Sequence, residues 1–128
     1  MANPHVVAVV DDEEAVRRSM ERVLRAAGYG VASFAGGAEL IESLPSVRPS
    51  CVLLDLEMPG LSGLDVLSHL AQDRAAVPVI IVTGRDTPQT RQRAAAGGAV
   101  TYFTKPVDAS ALLEAIEAVI KNTGRAAS

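Results

Sequence analysis

The sequence predicts an α/β domain: a doubly wound parallel sheet of five strands with helices on both faces. Short, wholly apolar, β-branched runs recur along the chain, as strands buried on both faces require. Between them lie segments whose apolar residues return at helical spacing. The two kinds of segment alternate, and such alternation implies parallel strands joined by right-handed crossovers.

The first strand is Val6 to Val10, which stops at acidic residues. Val16, Met20, Val23, Leu24 and Ala27 then recur at helical spacing, with Arg17, Arg18, Glu21, Arg22 and Arg25 on the other side and Gly28 as a stop. A strand near Val31 to Phe34 leads to a helix near Ala38 to Leu44. Cys51 to Leu54 is the third strand, followed by a helix near Leu64 to Gln72. Val79 to Val82 is the fourth, followed by a helix from Gln89 to Ala96. Val100 to Phe103 and a helix from Ala111 to Lys121 close the chain. The helix from Gln89 to Ala96 offers only alanines to a core and runs into Gly97-Gly98, so little apolar area anchors it and it is expected to be mobile. The domain is expected to span 1–121. Asn122 to Ser128, small or polar and without period, reads as a flexible tail or the start of a linker.

With 128 residues, 48% of them hydrophobic and 21% charged, the chain has the size and apolar content for one domain around one core. No apolar stretch approaches the ~18 residues of a spanning helix, so a soluble protein is expected. The N-terminus lacks a basic segment followed by an apolar one, and the cytoplasm is the expected compartment. Cys51, the single cysteine, has no partner for an intramolecular disulfide and lies in an apolar run, which reads as a buried, inert thiol. Net charge is −3 and no segment concentrates Lys and Arg, so direct nucleic-acid binding is not expected.

Sites in open α/β sheets lie beyond the carboxyl ends of the strands. Here the first strand ends in Asp11-Asp12-Glu13-Glu14, the third in Asp55, the fourth in Thr83-Gly84 and the fifth in Thr104-Lys105-Pro106. Carboxylates held together repel unless a cation sits among them, and Mg²⁺ or Mn²⁺ prefers such oxygen ligands. Asp11, Asp12 and Asp55 therefore make a candidate metal cradle, while Glu13 and Glu14 read as helix-capping acids. Asp55, at a strand end before Met58-Pro59-Gly60, could attack phosphorus to form an acyl phosphate, though an aspartate there is also a common turn former. Lys105, one of two lysines, could neutralise phosphoryl oxygens, and Thr83 could donate its hydroxyl to another. Each taken singly has an ordinary structural reading. Together, on four neighbouring strand ends, they describe a phosphoryl-transfer site.

Asp11-Asp12, Asp55-Leu56-Glu57-Met58-Pro59-Gly60, Thr83-Gly84 and Lys105-Pro106 resemble the response-regulator receiver domains of two-component signalling, and Ile80 to Gly84 with Lys105-Pro106 resembles the FixJ-like members. The likeness runs from about Val6 to Ile120. It implies a flavodoxin-like strand order 2-1-3-4-5, Asp55 as phospho-acceptor, Asp11 and Asp12 as metal-site acids, and the backbone carbonyl of Glu57 as a further ligand. It also implies switch roles for Thr83 and Lys105. Tyr102, three residues before the lysine, is implied to change rotamer as Thr83 moves; otherwise it is a plain strand aromatic with its hydroxyl in water. The implied donor is a sensor histidine kinase or phosphotransferase. The implied output face is the fourth helix, fifth strand and fifth helix, often used for homodimers. Glu57 and Arg85, two residues after Asp55 and Thr83, could meet above the pocket and hinder the hydrolytic water, or be two solvated charges.

On this reading the chain is not an enzyme beyond its own phosphorylation and slow autodephosphorylation. A phosphate-independent binding module of the same fold is the alternative. An aspartate-nucleophile phosphohydrolase usually carries a second Asp two after the nucleophile, where Glu57 stands, and a flavin domain would need a phosphate-cradling loop where Asp11 to Glu14 stand.

Overall fold

The apolar runs do become strands, and the order in which they pair sets the position of every polar residue that follows them. The computed structural model describes residues 5–72 and 77–127, with side chains to 122. In chain order the elements are β1 (Val6–Val10), α1 (Glu14–Ala26), β2 (Gly30–Phe34), α2 (Gly37–Val47), β3 (Cys51–Leu54), α3 (Gly63–Ala71), β4 (Val79–Thr83), α4 (Pro88–Ala96), β5 (Thr101–Thr104) and α5 (Ala109–Ala127). The strands form one parallel sheet in the order β2-β1-β3-β4-β5, as the resemblance implies.

Alternate strand residues feed two cores, one on each face, because successive side chains leave a strand on opposite sides. Val7, Val9, Cys51, Leu53, Ile80 and Val82 pack with Met20 and Leu24 of α1 and Leu112, Ile116 and Val119 of α5. Ala8, Val10, Val52, Leu54 and Ile81 pack with Leu40 of α2, Val66, Leu67 and Leu70 of α3 and Ala94 of α4. Cys51 is fully buried, and burial pushes its thiol up to about 12, as an inert core residue requires.

Several boundaries differ from those expected, each for a local reason. Ala27, expected on the apolar side of α1, is exposed as its C-cap, and Gly28 turns the chain away at φ 94. Helix α3 starts one residue earlier than expected because Ser62 caps it, its hydroxyl accepting from the Asp65 amide at 3.2 Å. Helix α4 begins at Pro88, a residue suited to the first turn, under a reciprocal cap between Thr87 and Thr90. Its one fully buried side chain is Ala94. Strand β5 begins at Thr101, leaving Val100 56% exposed. Helix α5 continues past Lys121 to Ala127, where the sequence suggests a tail; Arg125, Ala126 and Ala127 are good helix formers.

Candidate functional site

Backbone pairing carries the ladder one residue beyond the strands and so fixes the acids. The Asp11 amide donates to the Phe34 carbonyl at 3.1 Å, and the Asp55 amide donates to the Val10 carbonyl at 3.0 Å. Because Val10 lies opposite Leu54, Asp11 and Asp55 emerge side by side from the middle of the sheet. On the far side, the Lys105 amide donates to the Thr83 carbonyl at 2.8 Å, which sets Lys105 beside the end of β4. The peptide bond from Lys105 to Pro106 is cis.

The four strand ends converge. Carboxylate oxygens of Asp11, Asp12 and Asp55 lie within 4.8 Å of one another. Asp11 and Asp55 are 2% and 4% exposed, so bulk water solvates them poorly, whereas Asp12 faces solvent. The Lys105 ammonium donates to both buried acids, at 2.7 Å to Asp11 Oδ2 and 3.1 Å to Asp55 Oδ2. Main-chain amides take the other oxygens: Glu13 donates to Asp11 Oδ1 at 2.9 Å and Glu57 to Asp55 Oδ1 at 3.1 Å.

These contacts set the ionisation of the pair. Burial raises the pKa of Asp55 above its ordinary value, and the Glu57 amide and the Lys105 charge offset only part of that rise. Burial also pulls the Lys105 pKa down, but the two carboxylates outweigh it and the net direction is up. Three acids against one ammonium leave net negative charge among hard oxygen donors, which suits a small divalent cation better than a thiol- or imidazole-seeking metal.

Thr83 is fully buried, and its Oγ1 accepts from the Arg85 amide at 3.3 Å, which leaves the hydroxyl proton to donate elsewhere. Glu57 and Arg85 do approach, at 3.9 Å between Oε2 and Nη1, on side chains 51% and 73% exposed. Tyr102 is half-buried, and its hydroxyl lies 3.0 Å from Thr90 Oγ1. Glu13 and Glu14 do take the helix-capping places expected of them, at the N-cap and in the first turn of α1. Glu13 occupies the N-cap of α1 without a side-chain cap bond, and Glu14 pairs with Arg18 at 2.7 Å on the surface.

Two further residues shape the site and were not singled out from the sequence. Arg17 looks like one more solvent-facing arginine of α1, yet its Nη1 donates to the Asp11 carbonyl at 2.6 Å and so braces the loop that carries Asp11 and Asp12. Gly63 opens α3 directly against the acceptor loop. A Cβ there would overlap the Asp55 carbonyl oxygen and the Leu56 Cα. No periodicity or motif signals either contact, since both depend on how loops close in space.

The family profile described as "Response regulator receiver domain" matches residues 7–117. The chain belongs to the response-regulator receiver family. Among curated relatives, this receiver domain is 40% identical over 114 residues to Nodulation protein W of Bradyrhizobium diazoefficiens, covering 88% of the chain and 50% of that protein. It is 32% identical over 121 residues to the Transcriptional regulatory protein FixJ of the same organism, covering 94% of the chain and 59% of that protein. It is 36% identical over 117 residues to the DNA-binding transcriptional regulator NtrC of Escherichia coli, covering 91% of the chain and 25% of that protein. The receiver domain thus spans between a quarter and three fifths of the length of these relatives.

Solved structures agree. A CheY-like receiver domain protein from Methanospirillum hungatei superposes with a TM-score of 0.91 at 25% identity, covering 96% of this chain and 98% of that one. The receiver domain of a modulated diguanylate cyclase from Desulfovibrio desulfuricans superposes with a TM-score of 0.85 at 30% identity, covering 93% and 95%. Among the described residues no helix is long and apolar enough to cross a membrane.

Proposed function

We propose that this receiver domain is a phosphorylation-dependent switch in which Asp55 accepts the phosphoryl group. One observation carries the reading: Asp55 and Asp11 are buried side by side at the strand ends and share the Lys105 ammonium. Attack by an Asp55 carboxylate oxygen forms a P–O bond as the P–N bond of a phosphohistidine breaks, and the electron pair returns to the imidazole of a histidine kinase or phosphotransferase. Mg²⁺ or Mn²⁺, held by Asp11, Asp12, Asp55 and the backbone carbonyl of Glu57, would supply the positive charge that lets an anionic phosphoryl group approach an anionic carboxylate. Lys105 turns its donors from the carboxylates to a phosphoryl oxygen, and the Thr83 hydroxyl donates to another. Tyr102 then follows Thr83, and the face formed by α4, β5 and α5 changes shape and pairs with a second copy.

The chemistry of the domain is confined to its own phosphorylation and slow autodephosphorylation, and the cytoplasm is its compartment. The packed receiver unit closes with α5 near residue 121, and the rest of that helix, to Ala127, leads out of it.

Intact mass after incubation with acetyl phosphate and Mg²⁺ tests the reading. One added phosphoryl group is expected in the wild-type chain and none in Asp55→Asn or without divalent metal. An unchanged wild-type mass, together with no structural response to beryllofluoride, would leave a phosphate-independent binding module as the reading.

The approach of Glu57 and Arg85 supports a role for the pair in hindering the water that hydrolyses the acyl phosphate. Glu57→Ala is expected to shorten the phosphate lifetime by up to about fivefold, the range open to an exposed pair. Phosphate release at the wild-type rate would remove the pair from the mechanism.

A further inference from the structure

Beyond the pocket, side chains of α4 and its preceding loop close around Tyr102. Arg91 donates from Nε and Nη2 to both carboxylate oxygens of Asp86, at 2.7 and 3.0 Å. The same guanidinium lies 4.8 Å from the centre of the Tyr102 ring. Thr90 Oγ1 lies 3.0 Å from the Tyr102 hydroxyl and 2.9 Å from the Thr87 carbonyl. Either hydroxyl can be the donor in the contact between Thr90 and Tyr102. Asp86 is only three residues beyond Thr83, whose Oγ1 holds the Arg85 amide. Polar contacts at Arg85 and at Asp86, joined by the chain between them, therefore connect the buried threonine to the aromatic of β5.

The rest of α4 does little to hold it down. Ala94 is its one fully buried side chain. When apolar area is this small, the position of the helix is decided by the few polar contacts at its N-terminus.

We propose that Asp86, Thr90 and Arg91 form a latch that holds Tyr102 and the N-terminal turn of α4 in the arrangement where Lys105 is bound to Asp11 and Asp55, and so sets how much phosphoryl-binding free energy the switch consumes. The inference rests on the reading of Asp55 as phosphoryl site. Any rearrangement that draws Thr83 toward a group on Asp55 pulls on the Arg85–Asp86 loop, and through Arg91 on the ring it covers. The latched arrangement opposes that movement, so releasing the latch favours the phosphoryl-bound form.

The test is the affinity of the Mg²⁺-loaded chain for beryllofluoride, measured by calorimetry for wild type, Tyr102→Phe, Thr90→Val, Thr90→Ser, Arg91→Gln and the double variant Thr90→Val/Tyr102→Phe. Tyr102→Phe, Thr90→Val and Arg91→Gln are expected to bind about five- to tenfold more tightly, as loss of one modest contact from the resting form predicts. The gains of the two single variants should be less than additive in the double variant, because the Thr90–Tyr102 bond is common to both. Thr90→Ser should bind like wild type. A gain in affinity separates this role from a merely structural one, since damage to the fold weakens binding. Amide exchange on the metal-free chain supplies a second arm: α4 amides should exchange faster in Tyr102→Phe and Thr90→Val. Variants that bind as wild type does, bind more weakly or add independently would overturn the latch while leaving the phosphoryl site standing. Failure of wild type to bind beryllofluoride would overturn the site itself, and the latch's role with it.

Discussion

Replacing Lys105 with methionine is expected to destabilise the fold by about 2–4 kcal/mol at neutral pH, somewhat below the ~3–5 kcal/mol for losing one partner of a fully buried pair. The discount reflects a lysine side chain still 18% exposed beside acid side chains that are 3% and 4% exposed. Without the ammonium, two buried carboxylates face each other with only amide donors left. The sign of the pH dependence follows from Asp55. Burial raises its folded pKa, so ionising it opposes folding; that cost is absent below the ordinary carboxylate pKa and complete above the folded one. Removing Lys105 raises that pKa further. The deficit should therefore be largest at neutral pH and shrink as pH falls toward about 4. Lys105 contributes the opposite way in the wild type: its pKa is raised by the two acids, so its stabilisation is full below the ordinary lysine pKa and lost as pH rises through the folded value. A divalent cation between the acids should restore much of the loss. Urea unfolding with and without Mg²⁺ measures both effects, and a methionine variant with the wild-type midpoint at pH 7 would refute the account.

Gly63→Ala is expected to cost about 1–3 kcal/mol, as overpacking against a rigid neighbour does, and to slow phosphorylation by tenfold or more. The added Cβ has no flexible side chain to displace. It meets the carbonyl of Asp55 itself and the Cα of Leu56, so α3 can keep its place only by moving the acceptor. Gly60→Ala is the matched control. It lies four residues after Leu56 with open space around it, but at φ +76, where an L side chain is strained. It should lose about 1 kcal/mol and keep the acceptor rate. Equal phosphorylation rates for Gly63→Ala and wild type would show that the acceptor loop adjusts without consequence.

The strands and their polar ends were legible because each is a short β-branched run halted by a charged or hydroxyl residue, and a parallel sheet aligns all such ends on one edge. That is why Asp11, Asp12, Asp55, Thr83 and Lys105 group together in the sequence itself. Helix limits were less legible, because they depend on caps. At α4 the cap pairs Thr87 with Thr90, where the usual pattern has a glutamate or glutamine in the second place, and nothing in the composition points to it. The contacts of Arg17, Gly63, Asp86 and Arg91 were not legible at all. Each is made between segments whose approach is decided by loop closure, and an arginine reaching a carbonyl reads in sequence like an arginine reaching water.

The meagre packing of α4 has a consequence over evolutionary time. A helix that lends one alanine side chain to the core leaves its remaining positions almost unconstrained by folding. Substitutions there outside Thr90, Arg91 and Ala94 can accumulate without disturbing Asp55 or the sheet beneath it. The pocket and the outward surface of the domain can therefore diverge at separate rates, which lets one chemical trigger be matched to new partners by changes in a single helix.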